Sequence, residues 1–475
     1  MSDKAATRDG DDADAVVAEQ VARARRAQAV YEEYDQAAVD EVVTAVGWAV
    51  VEPERNRELS ELAVATTGIG DIEDKVTKNR RKTMGLLRDL QGARTVGVVA
   101  EYPELGLVEI ARPVGVVGAV TPSTNPVATP TNKAINALKG RNAVIIAPSP
   151  KGQAACERLL HYIHTELDRV GAPRDLVQQL AAPVSKARTQ ALMKQVDLLV
   201  VTGSQNNVRS AYSSGTPAIG VGAGNVPVII DETADLDDAA AKITASKTFD
   251  HATSCSSENS AVILDAVYDG AIAALERAGG VMLDEGGKRR LQEALWVDGK
   301  LNRDAIAQSA VTIAKLAGLD DIAAQAPRFL MVEESGVGGE YPFSGEKLSP
   351  VLAVYRARDF DAAFEQTRAI LEHQGKGHSV GIHTANDDHV LRLGLEMPVC
   401  RVIVNQAHAF GNGGNFDNGL PFSLSMGCGT WGQNSISENL NYRHYLNTTR
   451  IARTIPPREP SMDDLFGDYR SRYGL

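Results

Sequence analysis

The chain has 475 residues, of which 43 % are hydrophobic, and it carries a formal net charge of −12 and four cysteines. This length allows two or three domains, the net acidity argues against a nucleic-acid partner, and no stretch approaches the roughly 20 apolar residues of a membrane span. The cysteines at 156, 255, 400 and 428 fit neither a disulfide framework nor a metal-binding spacing. Together these observations predict a soluble, cytoplasmic, multidomain enzyme without a metal site.

The N-terminal segment changes character near residue 15. Residues 1–14 are rich in Asp and nearly free of large apolar side chains, which predicts a disordered leader. From Asp35, a good N-cap, valines recur at helical spacing and form one apolar stripe: Val39, Val42, Val43, Val46 and Val50. We therefore predict a helical start to the folded chain.

From about residue 96, short β-branched runs alternate with helical segments. The first series of runs covers 114–120, 143–147, 176–180, 198–201 and 226–230. The second series covers 261–264, 329–332, 351–354, 380–383 and 401–404. Apolar runs separated by helices indicate parallel sheets covered on both faces. We predict an α/β fold with one parallel-sheet domain over 15–230, a second over 231–425, and a ligand cleft where they meet.

The last segment, over 455–475, is predicted as a separate tail. Pro456 and Pro457 stop the preceding element, and Ser461 is placed to begin a short final helix. We expect this helix to dock on its own subunit or on a neighbour.

Three polar or glycine-rich segments lie at strand ends, where parallel sheets bind ligands. They are the segment beginning Thr121-Pro122, the pair Gly203-Ser204, and the run 220–225 with Gly222 and Gly224. A helix after Ser204 would point free N–H groups at a phosphate. The run 220–225 reads G-x-G-x-G-N and not G-x-G-x-x-G. The spacing therefore fits a dinucleotide site and ordinary turn glycines equally well.

The cysteines differ in their surroundings. Cys156 falls in an apolar helical stripe and Cys400 opens an apolar run, which indicates core positions. Small and polar residues flank Cys255, so a nucleophilic thiol and an ordinary loop cysteine are balanced alternatives. Cys428 lies between glycines, where a structural role is favoured over a place in the cleft.

The segments 114–152, 201–231, 254–262 and 421–440, which include VTPSTNPVATPTNKAINALKG, SCSSENSAV and PFSLSMGCGTWGQN, together resemble the CoA-acylating branch of the aldehyde dehydrogenase superfamily. The resemblance implies an aldehyde-dehydrogenase-like fold, with a Rossmann-like cofactor domain, a catalytic domain and a small oligomerisation element. It also implies a hairpin arm near 96–112, a return of residues 426–454 to the cofactor domain, and a homodimer or homotetramer. Microcompartment association is a further expectation.

The resemblance implies roles for individual residues. Cys255 matches the catalytic nucleophile, and Thr124 or Asn125 would donate to the oxyanion. Cofactor contacts are expected from the following residues: Thr121, Pro122, Pro148, Ser149, Lys151, Gly203, Ser204, Gly222, Gly224 and Glu346. Candidates on the substrate or CoA side are His378, Ser423 and Cys428.

Two departures from the hydrolytic relatives carry functional expectations. Val221 stands where those relatives have the glutamate that activates water, and its apolar side chain favours coenzyme A as the acyl acceptor. Glu258, three residues after Cys255, is left open as an alternative general base. Ser149 and Lys151 replace the carboxylate that binds the adenine ribose, so NAD(P) is expected with a preference for NADP.

Within the branch, the chain is most similar to acylating sulfoacetaldehyde dehydrogenases, whose small anionic substrate would require fixed cations. The alternatives are a non-acylating dehydrogenase, such as a semialdehyde dehydrogenase, and a thiol acyltransferase without redox chemistry.

Overall fold

The computed structural model describes residues 2–222 and 224–475. Its N-terminal part is helical and is followed by a hairpin: α1 Ser2–Tyr31, α2 Gln36–Val51, α3 Pro53–Thr67, α4 Ile72–Leu90, β1 Gly97–Tyr102 and β2 Leu107–Pro113. Asp35 caps α2 by accepting the N–H of Ala38 at 2.9 Å, and the predicted valine stripe is buried.

The first parallel sheet and its helices follow: β3 Val116–Thr121, α5 Ala128–Lys139, β4 Ala143–Pro148, α6 Gln153–Arg169, β5 Val177–Gln179, α7 Lys186–Gln195, β6 Leu198–Thr202, α8 Gln205–Tyr212 and β7 Ala218–Val221. The strand order is β5-β4-β3-β6-β7. The chain builds outward from β3 on one side and from β6 on the other, so the carboxyl ends of these two neighbours border a crevice. This is the predicted Rossmann-like arrangement.

The second sheet has seven strands in the order β10-β13-β14-β9-β8-β15-β16, all parallel. Its elements are β8 Val226–Ile230, α9 Leu236–Thr248, β9 Glu258–Leu264, α10 Tyr268–Arg277, β10 Gly280–Met282, α11 Glu285–Leu295, β11 Trp296–Val297, β12 Lys300–Leu301, α12 Ala310–Leu316, α13 Asp320–Ala324, β13 Phe329–Glu333, β14 Val351–Ala357, α14 Phe360–His373, β15 Val380–His383, α15 Asp387–Glu396 and β16 Val402–Val404. Successive residues of one strand point to opposite faces of the sheet, so Val228 and Ile229 belong to two separate apolar cores.

The last elements are α16 His408–Gly411, β17 Leu446–Ala452 and α17 Met462–Tyr473. Strand β17 pairs with β2 and completes a three-stranded antiparallel sheet with the predicted hairpin arm. Helix α17 begins after Ser461 as predicted, but none of its residues is buried against the described part of the chain.

One predicted segment boundary is wrong. The disordered leader over 1–14 stays a prediction; α1 begins at Ser2, and Ala13 near the end of this segment is buried. Strand β8 was assigned to the first domain, but it lies between β9 and β15 of the second sheet. The second domain therefore starts before β8, and not at residue 231.

Asn142 ties the returning C-terminal segment to the first sheet. Its Oδ1 accepts the N–H groups of Val114 and Gly115 at 2.7 and 3.0 Å. Its Nδ2 donates to the carbonyls of Ala137 and Tyr445 at 3.0 and 2.9 Å. This fully buried side chain thus satisfies four backbone groups on three segments.

We expect Asn142→Ala to destabilise the protein by about 3 kcal/mol, because it leaves the N–H groups of Val114 and Gly115 and the buried carbonyl of Tyr445 without this partner. Thermal unfolding followed by circular dichroism measures the effect as a fall in Tm. Asn447→Ala is the control, since the side chain of Asn447 makes one hydrogen bond, from its Nδ2 to the Pro113 carbonyl at 3.3 Å, on an exposed strand. Equal Tm values for the two variants would contradict the proposed role of Asn142.

Candidate active site

Two cavities meet at the carboxyl ends of β3 and β6 and share Pro122, Gly203 and Ser204. We call them the sheet-edge cavity, of about 410 Å³, and the thiol cavity, of about 300 Å³. The predicted ligand segments at the ends of these strands therefore come together, as expected for a parallel sheet whose order reverses here.

The sheet-edge cavity contains most of the residues predicted to contact a cofactor: Thr121, Pro122, Pro148, Ser149, Gly203 and Ser204. Lys151 is an exception. The Ser149 Oγ caps the following turn by accepting the N–H of Gly152 at 3.2 Å, and Lys151 on this turn is exposed and does not line the cavity. The cation that does line it is Lys186, at the start of α7.

The sheet-edge cavity fits a phosphate-bearing cofactor. Helix α8 starts directly after Ser204, so its free N–H groups face the end of β6. The Oγ1 of Thr121 is buried and has no partner in the described chain. No Asp or Glu of the described residues lines this cavity, so nothing there repels a phosphate.

The thiol cavity brings Cys255 together with Thr124, Asn125, Gly222 and Glu346, all predicted from the sequence. Cys255 lies in the turn before β9. Gly224 lies against the backbone of Cys255, since a Cβ at residue 224 would come within 2.2 Å of the Cys255 carbonyl oxygen. Gly224 therefore makes room for the Cys255 turn and does not line either cavity.

The two candidate oxyanion donors differ in their contacts. The Nζ of Lys78 donates to the Oδ1 of Asn125 at 2.9 Å, which leaves the Nδ2 of Asn125 as the end of the amide that can donate. The Thr124 Oγ1 lies 3.4 Å from this Nδ2 as an acceptor. The Thr124 hydroxyl keeps its own O–H while it accepts, so both side chains can donate, and which of them donates to the oxyanion stays a prediction.

The loop before Cys255 has an unusual backbone that Asp250 holds in place. Asp250, His251 and Ala252 all have positive φ, of 50°, 52° and 59°. The Asp250 carboxylate accepts from Lys75 at 3.1 Å, from the Thr253 Oγ1 at 2.8 Å, and from Lys78. Burial works to raise the pKa of Asp250, but Lys78 and Lys75 bring it below its ordinary value. A charged carboxylate therefore ties the Cys255 loop to α4.

Burial dominates the titration of the thiol. It raises the pKa of Cys255 to about 12, with the charge of Glu346 adding to the effect. Burial also raises the pKa of Glu346 to about 8, against the opposing charges of Lys247 and Lys347. The resting thiol is therefore protonated at neutral pH.

Three predicted substrate-side residues lie outside the thiol cavity. His378 is buried with its Nδ1 2.8 Å from the Ser379 Oγ, and Ser423 donates to the Ser425 carbonyl at 3.0 Å. Leu424 and Met426, which follow Ser423 in the chain, line the thiol cavity, whereas Ser423 does not. Cys428 lines a third cavity, of about 290 Å³, which meets the thiol cavity at Gly222 and Gln205.

The remaining sequence predictions concern Cys156, Cys400 and Glu258. Cys156 is fully buried in the core as predicted, whereas Cys400 is only partly buried. Glu258 is buried on β9 and accepts the N–H of His408 at 3.1 Å, away from the thiol cavity. It is therefore not placed to act as a surrogate base.

The sequence-based prediction missed a set of cations on α4. Lys78, Arg81 and Lys82 line a small cavity of about 30 Å³, which shares Asn125, Ser254 and Leu424 with the thiol cavity. The run KNRRK at 78–82 was a visible signal, although a basic run on a helix is more often a solvated face.

Two further observations concern other ligand classes. Within 2–222 and 224–475, no group of three or more His, Cys, Asp or Glu residues is arranged to hold a metal ion. Over the same residues, no helix combines the length and the apolar character needed to cross a membrane.

Comparisons with known proteins agree on one family. A model of the aldehyde dehydrogenase family matches residues 4–281. The acylating sulfoacetaldehyde dehydrogenase of Cupriavidus necator is 61 % identical over 458 residues, which cover 96 % of this chain and 93 % of that protein. The corresponding protein of Bilophila wadsworthia is 42 % identical over 465 residues, covering 96 % and 99 %. The crystal structure of an acetylating aldehyde dehydrogenase from Geobacillus thermoglucosidasius has a TM-score of 0.91 at 34 % identity, covering 95 % of this chain and 99 % of that one.

We expect alkylation of Cys255 by iodoacetamide to accelerate about tenfold per pH unit between about pH 7 and 9, because the thiolate fraction grows tenfold per unit below the pKa. Glu346→Gln should react faster than the parent above about pH 8, where Glu346 is ionised, and equally fast below about pH 7.

Mass spectrometry of the Cys255 peptide measures both rates. Glu258→Gln serves as the control, since it changes a buried carboxylate outside the thiol cavity. A rate that levels off below about pH 8 would show that the thiol is already ionised in the resting enzyme and would refute the assigned titration.

Proposed function

The chain belongs to the aldehyde dehydrogenase family and to its CoA-acylating branch, and we propose that it oxidises sulfoacetaldehyde to the CoA thioester while reducing NAD or NADP. The observation that carries the proposal is the thiol cavity, in which Cys255 and the Asn125 amide lie together beside the sheet-edge cavity. The similarity to acylating sulfoacetaldehyde dehydrogenases supports the choice of substrate.

In the first step the Cys255 thiol releases its proton to solvent, and the thiolate attacks the aldehyde carbonyl; Cys255 takes up a proton again when its thiolate leaves in the last step. A C–S bond forms, and the carbonyl oxygen becomes an oxyanion that needs hydrogen-bond donors. The Asn125 Nδ2 is one donor that the cavity offers. The backbone N–H of Cys255 is the other, since it makes no hydrogen bond within the described chain. Together they stabilise the thiohemiacetal on Cys255.

The second step leaves a thioester on Cys255. The nicotinamide cofactor, when bound, supplies the acceptor for the hydride that leaves the substrate carbon. The chain's own contribution is to hold the cofactor, and we assign the α8 N-terminus to its phosphates and Glu346 to its ribose. The backbone N–H of Gly224 favours the charged form of Glu346 and so opposes the rise of its pKa through burial.

The last step passes the acyl group to coenzyme A. The CoA thiol attacks the thioester, the bond to Cys255 breaks, and the proton of the CoA thiol goes to solvent. The overall change consumes aldehyde, CoA and NAD(P)⁺ and forms acyl-CoA, NAD(P)H and one proton. Water is a weaker competitor, since it needs a general base. Val221 is apolar and 3 % exposed at the end of β7, and Glu258 lies outside the thiol cavity.

Hydrolysis of the thioester remains the second candidate because Glu346 lines the thiol cavity and its pKa is raised to about 8. A carboxylate with such a pKa is able to accept a proton from water. Glu346 therefore has two candidate roles, binding the cofactor ribose and activating water. The acylating and hydrolytic reactions differ only in whether CoA or water accepts the acyl group.

We expect NAD(P)H absorbance to appear only when sulfoacetaldehyde and CoA are both present. Cys255→Ala should lower this rate on the order of 10³-fold or more, because the covalent route is lost. Cys400→Ala is the matched control, since Cys400 lies outside the thiol cavity. Equal rates without CoA would favour the hydrolytic reaction, and no reduction with any aldehyde would favour a thiol acyltransferase.

For the cofactor we propose that NADP is accepted, with Lys186 binding the 2′-phosphate. Lys186 is the charged residue among those described at the sheet-edge cavity, which no carboxylate lines. It takes the role that the sequence analysis had assigned to Lys151.

Lys186→Ala should lower kcat/KM for NADP about 3- to 10-fold relative to NAD, because an exposed charge-assisted contact is screened by solvent. Initial rates with each cofactor measure the ratio, and Lys151→Ala provides the control on the neighbouring turn. A larger effect from Lys151→Ala than from Lys186→Ala would return the role to Lys151.

A further inference from the structure

Helix α4 presents three cations to the small cavity beside the thiol. The cavity is lined by Lys78, Arg81, Lys82, Asn125, Phe249, Ser254, Ala409, Phe410 and Leu424. Ser254, which precedes Cys255, also lines the thiol cavity. A compact group that occupies this cavity would therefore lie next to the reacting carbonyl.

The three cations differ in how their charge is balanced. Lys78 is paired with the buried carboxylate of Asp250. Arg81 donates to the Asn415 Oδ1 at 2.5 Å and Lys82 donates to the Gly413 carbonyl at 2.8 Å. Neither of these two forms a salt bridge with a carboxylate of the described chain. An ammonium carries three donors and a guanidinium five, so both retain capacity for a ligand.

The neighbours of Arg81 and Lys82 fix them in place. The guanidinium of Arg81 lies 5.0 Å from the ring centre of Phe410, and the ammonium of Lys82 lies 5.3 Å from that of Phe422. Aromatic faces attract cations but do not neutralise them. The two cations are thus held by uncharged partners at the edge of the thiol cavity.

The titration of Lys82 reflects its burial beside other cations. Burial and the charges of Arg81 and Lys78 together lower the pKa of Lys82 to about 7, against the opposing charges of a Cys255 thiolate and of Asp89. Burying cations without an anion is unfavourable. An anionic ligand in this cavity would relieve the imbalance.

We propose that Arg81 and Lys82 bind the sulfonate of the aldehyde substrate and set the preference for an anionic aldehyde. The assignment rests on the proposed function and names the side chains that select its substrate. In sulfoacetaldehyde one methylene separates the sulfonate from the carbonyl, so the anion site has to adjoin the thiol, as this cavity does. Three sulfonate oxygens match two fixed cations with spare donors.

The first experiment compares kcat/KM for sulfoacetaldehyde with kcat/KM for uncharged propionaldehyde in the full-length enzyme with CoA and cofactor. Lys82→Gln and Arg81→Gln should each lower this ratio about 10- to 100-fold, mainly through KM for sulfoacetaldehyde. Lys82→Arg should restore most of the ratio. Arg80→Gln is the matched control, since it removes the same charge from the exposed side of the same helix. An equal loss with both aldehydes, or an unchanged ratio, would overturn the proposal.

A second experiment does not depend on turnover. Ethanesulfonate should slow iodoacetamide alkylation of Cys255 in the parent and in Arg80→Gln, but not in Lys82→Gln or Arg81→Gln. Protection that persists in Lys82→Gln and Arg81→Gln would overturn the site, and equal protection by propionate would overturn the choice of a sulfonate. If sulfoacetaldehyde is not a substrate but ethanesulfonate protects Cys255 as described, the proposed function fails while the anion site stands.

Discussion

The buried carboxylate of Asp250 joins helix α4 to the loop that presents Cys255. It accepts from Lys75 and Lys78 of the helix, and its own residue has a positive φ. Breaking such a buried pair by removing one partner typically destabilises by about 3–5 kcal/mol, because an uncompensated charge is left behind. The same Lys78 orients the Asn125 amide. One ion cluster therefore sets the positions of the nucleophile loop, the oxyanion donor and the helix that carries the remaining cations.

Charge in the cavities differs from the charge of the whole chain. The protein has a net charge of −12. Nevertheless, Lys186 lines the sheet-edge cavity and no described carboxylate does, and three cations of α4 line the small cavity beside the thiol. Anions entering these cavities meet local positive charge, because fields inside a cleft depend on the nearest groups more than on the net charge. The acidity is thus compatible with a phosphate-bearing cofactor and an anionic aldehyde.

Burial raises the pKa of both the Cys255 thiol and the neighbouring Glu346 carboxyl group. It keeps Cys255 protonated at rest, which protects the thiol from side reactions. It also raises the pKa of Glu346 into the range in which a carboxyl group exchanges protons near neutrality. Both effects have one cause, the desolvation of charge between two sheets, so the reactivity of the thiol depends on how closely the two domains meet around it.

The sequence by itself determined the α/β class and ten of the twelve strands of the two parallel sheets, because apolar periodicity is a local property. The residues that gather around Cys255 were assigned by the resemblance to the family. The tertiary structure decided the rest. Strand β8 belongs to the second sheet because it pairs with β9, the next strand in the chain, and with the much later β15. The orientation of the Asn125 amide depends on Lys78, which reaches it from another helix. Arg81 and Lys82 became candidate ligands because packing between distant segments directs their side chains into a cavity that no carboxylate of the described residues lines.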